Sequence, residues 1–577
     1  MVLDTAFFTD EFKRKLISEI DDLDEKCDGL LIKSENFQAL NLLKTKYHKS
    51  IKCIYLDPPY NAKSTEILYK NTFKHASWLS LMENRLSISN ELLESEGVQV
   101  VAIDEIEQAK LSQLLMDLNS DKDVVPVSVV HNPTGQQGYN ISFSSEYAIF
   151  VYPSFKGRNT LGLEERTDEN DWDTRTFRDN SGNSNLRTDA KNCFYPIYVK
   201  DNRIIGFGDV CDDNFHPNYR NVILEDGIVA VYPIDNNGVE KKWVFERGTV
   251  ESIIDELWVK DINNSEIDIQ RTKKKFRFKS CWFDKKYSAN SYGARLLTAM
   301  NIPFKYPKSI YNVMDCVIAG LGEQKNGKIL DFFAGSGTTA HATISLNRAD
   351  KGNRKYILVE MGDYFDTATK PRVQKAIYSE DWSNRKPVSR KGSSHCFKYM
   401  RLEQYEDTLN NLVVKKNTLM DQGGEFFYGY MLGYLLDTET KDSLFSLDWF
   451  VNPWNTKLKI TRNNETKEEK IDLIETFNYL IGLKVQRISY PKPEICVVEG
   501  YNRKGEHILI IWRDCTKVSN EDLNEFFRRM AYSTRDKEFD KIYVNGDNNL
   551  ENLKTDADTW KVTLIEQEFS KRMFEAE

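Results

Sequence analysis

The sequence predicts an α/β fold interrupted by a β-rich segment and followed by an α+β region. Three observations lead there. Apolar strand-like runs alternate with helical periods over residues 1–125 and again after residue 290. Between them asparagine, glycine and aromatic residues increase and helical periods become scarce, as in FGDVCDDNFHPNYRN. After about residue 386, NEDLNEFFRRMAY has helical periodicity while HILIIW and KIYVN read as strands. Strand–helix–strand alternation with short links implies a parallel, doubly wound sheet.

Each element follows from its pattern. LLIKSENFQALNLLKTKY reads as strand then helix, and KCIYLD as a buried strand. WLSLMENRLSISNELLES is a helix stopped by Gly97, and VQVVAID is a further strand ending in an acid, Asp104. Alternation resumes with SYGARLLTAM, KILDFF, a glycine turn, TTAHATISLNRAD and KYILVE. The polar stretch EDWSNRKPVSRKGSSH sets the last boundary. The expected regions are 1–125, 126–290, 291–385 and 386–577, the first and third forming one sheet domain.

At 577 residues the chain exceeds a single core. Its 40% hydrophobic and 29% charged content is that of a soluble globular protein. No apolar run approaches the ~18 residues of a membrane helix. The start, MVLDTAFFTDEFKRKL, lacks the basic-then-apolar order of a signal peptide. A cytoplasmic protein without a membrane partner is expected. Nine cysteines are scattered singly, which fits a reduced chain without structural zinc. The seven histidines are dispersed, so no metal site is expected and His341 reads as a packed neighbour.

A net charge of −9 gives no overall attraction to nucleic acid, but local patches decide phosphate contacts. RTKKKFRFK at 271–279 places Lys273, Lys274, Lys275, Arg277 and Lys279 among aromatics, as a phosphate-contacting run or a solvated surface strand. Lys241 and Lys242, beside Trp243, are second candidates.

Two motifs suggest chemistry. In KILDFFAGSGTTAHA a strand, a small-residue turn and a helix start let backbone N–H groups approach a ligand. No lysine follows the last glycine, so a P-loop is disfavoured. Gly335, Gly337 and Ala340 satisfy the GxGxxG/A pattern, and KYILVE ends in Glu360, where an acid would grip a ribose diol. That alone leaves a nicotinamide-dependent oxidoreductase open. The second motif, IYLDPPYN, ends a strand in an acid, two prolines and a tyrosine. Ligand sites of parallel sheets lie at the carboxyl ends of strands, so both motifs can share one crevice.

This pairing resembles the β-class DNA amino-methyltransferases that use S-adenosylmethionine, in which DPPY precedes the glycine loop. DPPY is usual for adenine N6; cytosine N4 is the close rival. The likeness extends through LLIKSENFQALNLL, YLDPPYNAKS, WLSLMENRL, VVAIDE, FKYPKSIYNVM, FKYMRLEQYEDTLNNL and IDLIETFNYLIGL to the Mod subunits of type III restriction–modification systems. It implies a permuted Rossmann-like methyltransferase domain, a β-rich target-recognition insert at 126–290 and an α+β C-terminal domain for dimer or partner contacts. By resemblance Asp57, Pro58, Pro59 and Tyr60 are catalytic. Asp331, Phe333, Ala334, Gly335, Ser336, Gly337 and Glu360 hold the cofactor, with Lys308 near its methionine end. Asn36 stands where many relatives carry an acid near the cofactor adenine. Asp104 shapes the pocket. The implied partners are double-stranded DNA, a second copy of the chain and a helicase–nuclease Res subunit. A solitary methyltransferase, one with a different defence partner, or a catalytically silent DNA-binding subunit is the alternative.

The chemistry suits the residues. Adenine's exocyclic amine is a poor nucleophile because its lone pair is delocalised into the ring. An ionised Asp57 only accepts hydrogen bonds, so it takes one amine hydrogen while the Pro58 carbonyl takes the other. The two prolines fix φ and pre-set that carbonyl. Tyr60 offers a face on which an extruded base stacks.

Overall fold

The computed structural model describes residues 2–61, 75–133, 135, 140–155, 159–180, 182–262, 266–412, 444–462, 465–555 and 560–574. The chain forms two compact units, Met1–Gly162 with Lys279–Glu577, and Leu163–Phe278.

At the centre of the first unit is a nine-stranded sheet. Its strands are β1 (Gly29–Lys33), β2 (Ile51–Leu56), β3 (Leu93–Ile103), β4 (Lys122–Val130), β5 (Ser145–Pro153), β6 (Cys281–Trp282), β7 (Lys328–Asp331), β8 (Lys355–Glu360) and β9 (Phe397–Arg401). Their order is β6-β4-β5-β3-β2-β7-β8-β1-β9. All neighbours run parallel except β5, which is antiparallel to both β3 and β4. β2 and β8 are buried along their whole length, which is why IKCIYL and KYILVE read as continuous apolar runs without alternation.

Period-two alternation divides the core between the two faces. Leu30, Ile32, Ile357 and Val359 point to one face, with Leu40 and Leu43 of α1 (Asn36–Tyr47), Trp78, Met82 and Leu86 of α2 (His75–Asn90) and Leu111 and Leu115 of α3 (Gln108–Leu118). Leu31, Tyr356 and Leu358 point to the other. There they meet Ile344 of α5 (Thr338–Asp350) and Val373, Ala376 and Ile377 of α6 (Thr369–Tyr378). Each such aliphatic side chain contributes about 1.5–3 kcal/mol of burial. α4 (Ile310–Leu321) packs so closely that a Cβ on Gly320 would lie 2.4 Å from Cys53 Sγ, so Gly320→Ala overpacks the sheet by about 1–3 kcal/mol.

Two expectations change here. The sheet is mixed, and its edge takes in β4, β5 and β6, so the compact insert starts near 163 and ends near 278 instead of spanning 126–290. The reason is local: VVPVSVV and EYAIFVYP form a long antiparallel pair, Val124↔Val151 through Val130↔Ser145, that extends the sheet beyond β3. The insert itself is β-rich. A four-stranded antiparallel sheet (Asn221–Ile223, Val229–Val231, Ile197–Lys200, Arg203–Phe207) and a three-stranded one (Leu257–Asp261, Ile267–Lys273, Asp173–Thr176) enclose Phe177, Tyr195, Trp243 and Ile269.

The C-terminal region is α+β, as expected. Lys484–Lys492, Ile495–Tyr501 and His507–Arg513 pair antiparallel, and Lys541–Val544 and Val562–Leu564 extend the sheet in parallel. Phe477, Trp512, Tyr543 and Phe569 fill its core. Asp24 ties this region to the nine-stranded sheet: it pairs with Lys46 (2.7 Å) and Lys398 (2.8 Å) and accepts from Val485 N (2.8 Å). Among the described residues no helix is long and apolar enough to cross a membrane.

Candidate active site

β2 ends at Leu56, and Asp57 begins the loop beyond its carboxyl end. Asn61 turns the chain in the left-handed region (φ 60°), and its amide donates to Glu107 Oε1 at 2.7 Å. Trp78 Nε1 donates to the Pro59 carbonyl at 2.8 Å. Two helices behind the sheet thus hold a loop whose prolines supply no N–H of their own. The end of YLDPPYNAKS, residues 62–64, lies outside the described residues.

Lys308 enters this loop from the segment before α4. Its ammonium contacts the Tyr60 hydroxyl and Glu146 Oε2, lies 3.4 Å from Asp57 Oδ1 and sits 4.5 Å from the centre of the Tyr60 ring. Asn312 Nδ2 donates to Glu146 Oε1 at 3.2 Å, and the Tyr60 hydroxyl donates to Glu146 Oε2 at 3.3 Å. Burial disfavours every charge here, but the groups compensate one another. Burial raises the Asp57 carboxyl, Lys308 opposes that rise and Glu146 adds to it, leaving Asp57 above its ordinary value. Burial lowers Lys308, but Asp57 and Glu146 outweigh it and leave the ammonium firmly protonated. Burial raises Glu146, but Lys308, His131 and Tyr60 together leave it below its ordinary value. Asp57 keeps 27% of its side chain exposed, so a ligand can reach the carboxylate. Asp104, at the end of β3, is pushed up to about 6 by burial, against the hydrogen bond it accepts from Ile106 N at 3.0 Å.

The glycine loop leaves β7, the strand beside β2 in the register Ile329↔Cys53 and Leu330↔Ile54. Gly335 (φ 50°) and Gly337 (φ 80°) occupy the left-handed region that L side chains resist. Asp331 Oδ1 accepts from Phe333 N (3.0 Å) and Oδ2 from Thr339 Oγ1 (2.6 Å), so this acid shapes the loop. Burial pushes its pKa up to about 7. Glu360 accepts from Gly335 N (2.9 Å) and Gly362 N (2.8 Å). The Tyr364 side chain and the Met361 backbone also hydrogen-bond this carboxylate, so a ligand's hydroxyls would take the place of some of these donors. Asn36 donates to the Phe332 carbonyl at 3.5 Å and accepts from Arg85 Nε at 3.1 Å, which bridges α1 to the same loop. Ala334 N donates to the Val359 carbonyl at 3.1 Å. These small, left-handed, backbone-lined positions form a cradle that suits an adenosyl cofactor.

Arg372 lies beneath that cradle, fully buried. Its Nη1 donates to Ser336 Oγ (2.6 Å) and Thr338 Oγ1 (2.8 Å), its Nε reaches His341 Nδ1 (3.4 Å), and its Nη2 has no partner among the described residues. Burial alone depresses the guanidinium to about 9, and burial followed by Arg372 and Arg348 depresses His341. His341 is therefore a neutral packed neighbour.

One short segment touches both loops. Phe304 Cζ lies 3.6 Å from where a Cβ on Gly335 would stand, and Lys308, four residues on, contacts Asp57 and Tyr60. Lys308, expected near the cofactor's methionine end, has its ammonium against Asp57 and Tyr60 of the DPPY loop. Sequence reasoning missed Glu146, Asn312, Phe304 and Arg372. Glu146 is the lone acid at the head of EYAIFVYP, and Arg372 stands on the buried stripe Thr369, Val373, Ala376, Ile377. A charge on an apolar face is the signal both left.

The candidate DNA contacts fall into two kinds. Lys274, Lys275, Arg277 and Lys279 are exposed, and Lys273 is half-buried. Lys274 sits 4.0 Å over Trp172 and Lys273 5.1 Å over Phe276. Lys241 instead hydrogen-bonds Asn185 (2.9 Å) and lies 3.8 Å from Asp235, and Lys242 lies 3.7 Å from Asp179. Trp243 is buried in the insert's core.

A carboxylate–proline–proline–tyrosine loop beside a left-handed glycine loop, on adjacent parallel strands, defines a methyltransferase that acts on amino groups. The N6_N4_Mtase family, DNA methylase, matches residues 51–370, more than half of the chain, and the chain belongs to that family; its methyl donor is S-adenosylmethionine. The Type II methyltransferase M.KpnI of Klebsiella pneumoniae is 28% identical over 380 residues, 61% of this chain and 84% of that one. The type III restriction-modification enzyme EcoPI Mod subunit of Escherichia phage P1 is 26% identical over 390 residues, 58% of each chain. This chain thus spans little more than half the length of that Mod relative. The solved structure of a putative DNA modification methylase from Thermus thermophilus, complexed with S-adenosyl-L-methionine, is 12% identical, covers 65% of this chain and 98% of its own, and has a TM-score of 0.30.

Proposed function

We propose that the chain methylates N6 of an adenine flipped out of double-stranded DNA, at sites read by the insert, as the modification subunit of a type III restriction–modification system. The observation that supports this reading most is the junction of the two loops: β2 and β7 are neighbours, and the Phe304–Lys308 segment touches both. When bound on the Gly335–Gly337 loop with Glu360 and Asn36, S-adenosylmethionine supplies an electrophilic methyl group. The chain's own residues do the rest. Asp57 Oδ and the Pro58 carbonyl take the two amine hydrogens and localise the lone pair on nitrogen. Tyr60 stacks on the extruded base. Lys308 pins the Tyr60 ring and keeps Asp57 ionised. Most of the acceleration then comes from positioning and charge stabilisation.

Exposed Lys274, Lys275 and Arg277 supply phosphate contacts, with Lys273 and Lys279 beside them. A homodimer and a helicase–nuclease Res subunit complete the assembly, in keeping with relatives named as Mod subunits. The match to 84% of a type II methyltransferase favours, as second reading, an enzyme that works without Res.

Nucleoside analysis of DNA treated with the purified protein and S-adenosylmethionine tests the reaction. N6-methyladenine is expected, and N4-methylcytosine alone would overturn the choice of base. Stabilisation by NAD(P) and not by S-adenosylmethionine in a thermal shift would overturn the class. Modification-sensitive sequencing of host DNA reports the recognised motif.

A further inference from the structure

At the opposite edge of the same sheet, a cavity of about 270 Å³ opens at the amino ends of β1, β2, β7 and β8 against the C-terminal region. Six basic and three acidic side chains line it. Two of the acids are already committed. Asp24 is held by Lys46 and Lys398, and Asp28 accepts from Cys396 N at 2.7 Å. That leaves Lys328, Lys355, Lys484 and Arg503 against the charge of Asp28 and of Glu25, which Lys484 (3.0 Å) and Lys355 (3.6 Å) share, and the Lys355 ammonium also donates to the Asp24 (3.3 Å) and Glu25 carbonyls. Lys328 and Arg503 make no ion pair among the described residues.

We propose that this cavity is a second ligand site, which binds the phosphate group of a small nucleotide. A recess lined by like charges with low-dielectric walls concentrates an anion, and lysine and arginine bind phosphate through charge-assisted hydrogen bonds. Tyr501, 37% exposed at the rim, supplies an aromatic face for the base. A cavity of about 270 Å³ is of the size that holds a small molecule. Burial and then Lys355 depress Lys328. The site is separate from the cofactor cradle. β8 runs from Lys355 at the cavity to Glu360 at the glycine loop, roughly 17 Å away at strand rise.

Titration calorimetry of the full-length protein at fixed ionic strength, with ADP and separately with inorganic phosphate, tests the site. Saturable binding of ADP is expected, weakened at least tenfold in Lys328→Ala/Arg503→Ala, with S-adenosylmethionine binding unchanged as the check on folding. Glu25→Gln, which removes the opposing carboxylate, should tighten binding. Phosphate binding as well would assign recognition to the phosphate group alone, and ADP binding without it would require the base too; both support the site. No saturable binding of either compound, binding undiminished in the double variant, or displacement of ADP by S-adenosylmethionine or by duplex DNA would overturn it.

Discussion

Lys308 Nζ lies 3.4 Å from Asp57 Oδ1 while it also contacts Glu146, so one buried ammonium serves two carboxylates of opposite fate. Asp57 ends above its ordinary pKa and Glu146 below. Asp57 must be ionised to accept an amine hydrogen, so kcat/KM should fall as pH drops through its raised pKa. Lys308→Met removes the main opposing influence and should move this acid limb to higher pH. Glu146→Gln removes a like charge and frees Lys308 for Asp57, and should move the limb lower. A pH profile of kcat/KM for both variants checks the signs, and parallel displacement would contradict the assignment. Asp104 titrates near 6, so Asp104→Asn shows whether it adds to the limb.

Asp57 itself can be separated from cofactor binding. Its carboxylate faces the DPPY loop, and the glycine cradle is built from Asp331, Glu360 and backbone groups. Asp57→Ala should reduce kcat by about 10²-fold or more, the range for loss of one preorganised polar contact. The Kd for S-adenosylmethionine should change less than threefold, by about 0.6 kcal/mol at most. Retained methyl transfer would remove Asp57 from the reaction, and absence of transfer in the unaltered protein as well would favour the silent DNA-binding subunit.

The legible parts of this fold are those whose cause is local. A buried parallel strand writes a continuous apolar run, and an acid or glycine turn at its end marks the edge where ligands bind, so β1, β2, β7, β8 and both loops were readable. Lys308 was readable as a site residue but not as a neighbour of Tyr60, because its contacts depend on how α4 packs. Glu146 and Arg372 were hidden for the same reason: each is one charge in an apolar segment, and only distant packing partners reveal what it faces. The boundary at 126 shifted because β4 contains Pro126 and looks broken, whereas its pairing with β5 continues through Pro126↔Ile149.

Arg372 carries a prediction in which two effects have opposite signs. A fully buried cation without a carboxylate costs several kcal/mol, so Arg372→Met need not lower the Tm and can raise it. The same change strips two donors from Ser336 and Thr338, hydrogen bonds worth about 1.5–3 kcal/mol each when one partner is charged. The cradle should loosen, and the Kd for S-adenosylmethionine should rise about tenfold or more. Tm and Kd measured together decide the matter. A lower Tm with an unchanged Kd would make Arg372 a core residue with no part in shaping the loop.

The basic run makes the last prediction, and its outcome turns on salt. Lys274 and Lys275 are exposed, and Lys273 is half-buried over Phe276, so each keeps a cation near solvent without a carboxylate at salt-bridge distance among the described residues. Each phosphate such a cation neutralises releases counterion and adds about 0.9 to the slope of log Kobs against log salt. Replacing Lys273, Lys274 and Lys275 by alanine should therefore weaken binding to every duplex alike and flatten the slope by up to about 2.7. Lys241→Ala and Lys242→Ala should change it little, because Asp235 and Asp179 already engage those amines. Fluorescence anisotropy across a salt series with a specific and a random duplex measures both quantities. An unaltered slope in the triple variant would reduce the run to a solvated surface strand, and a loss confined to the specific duplex would make it a reader of bases instead of phosphates.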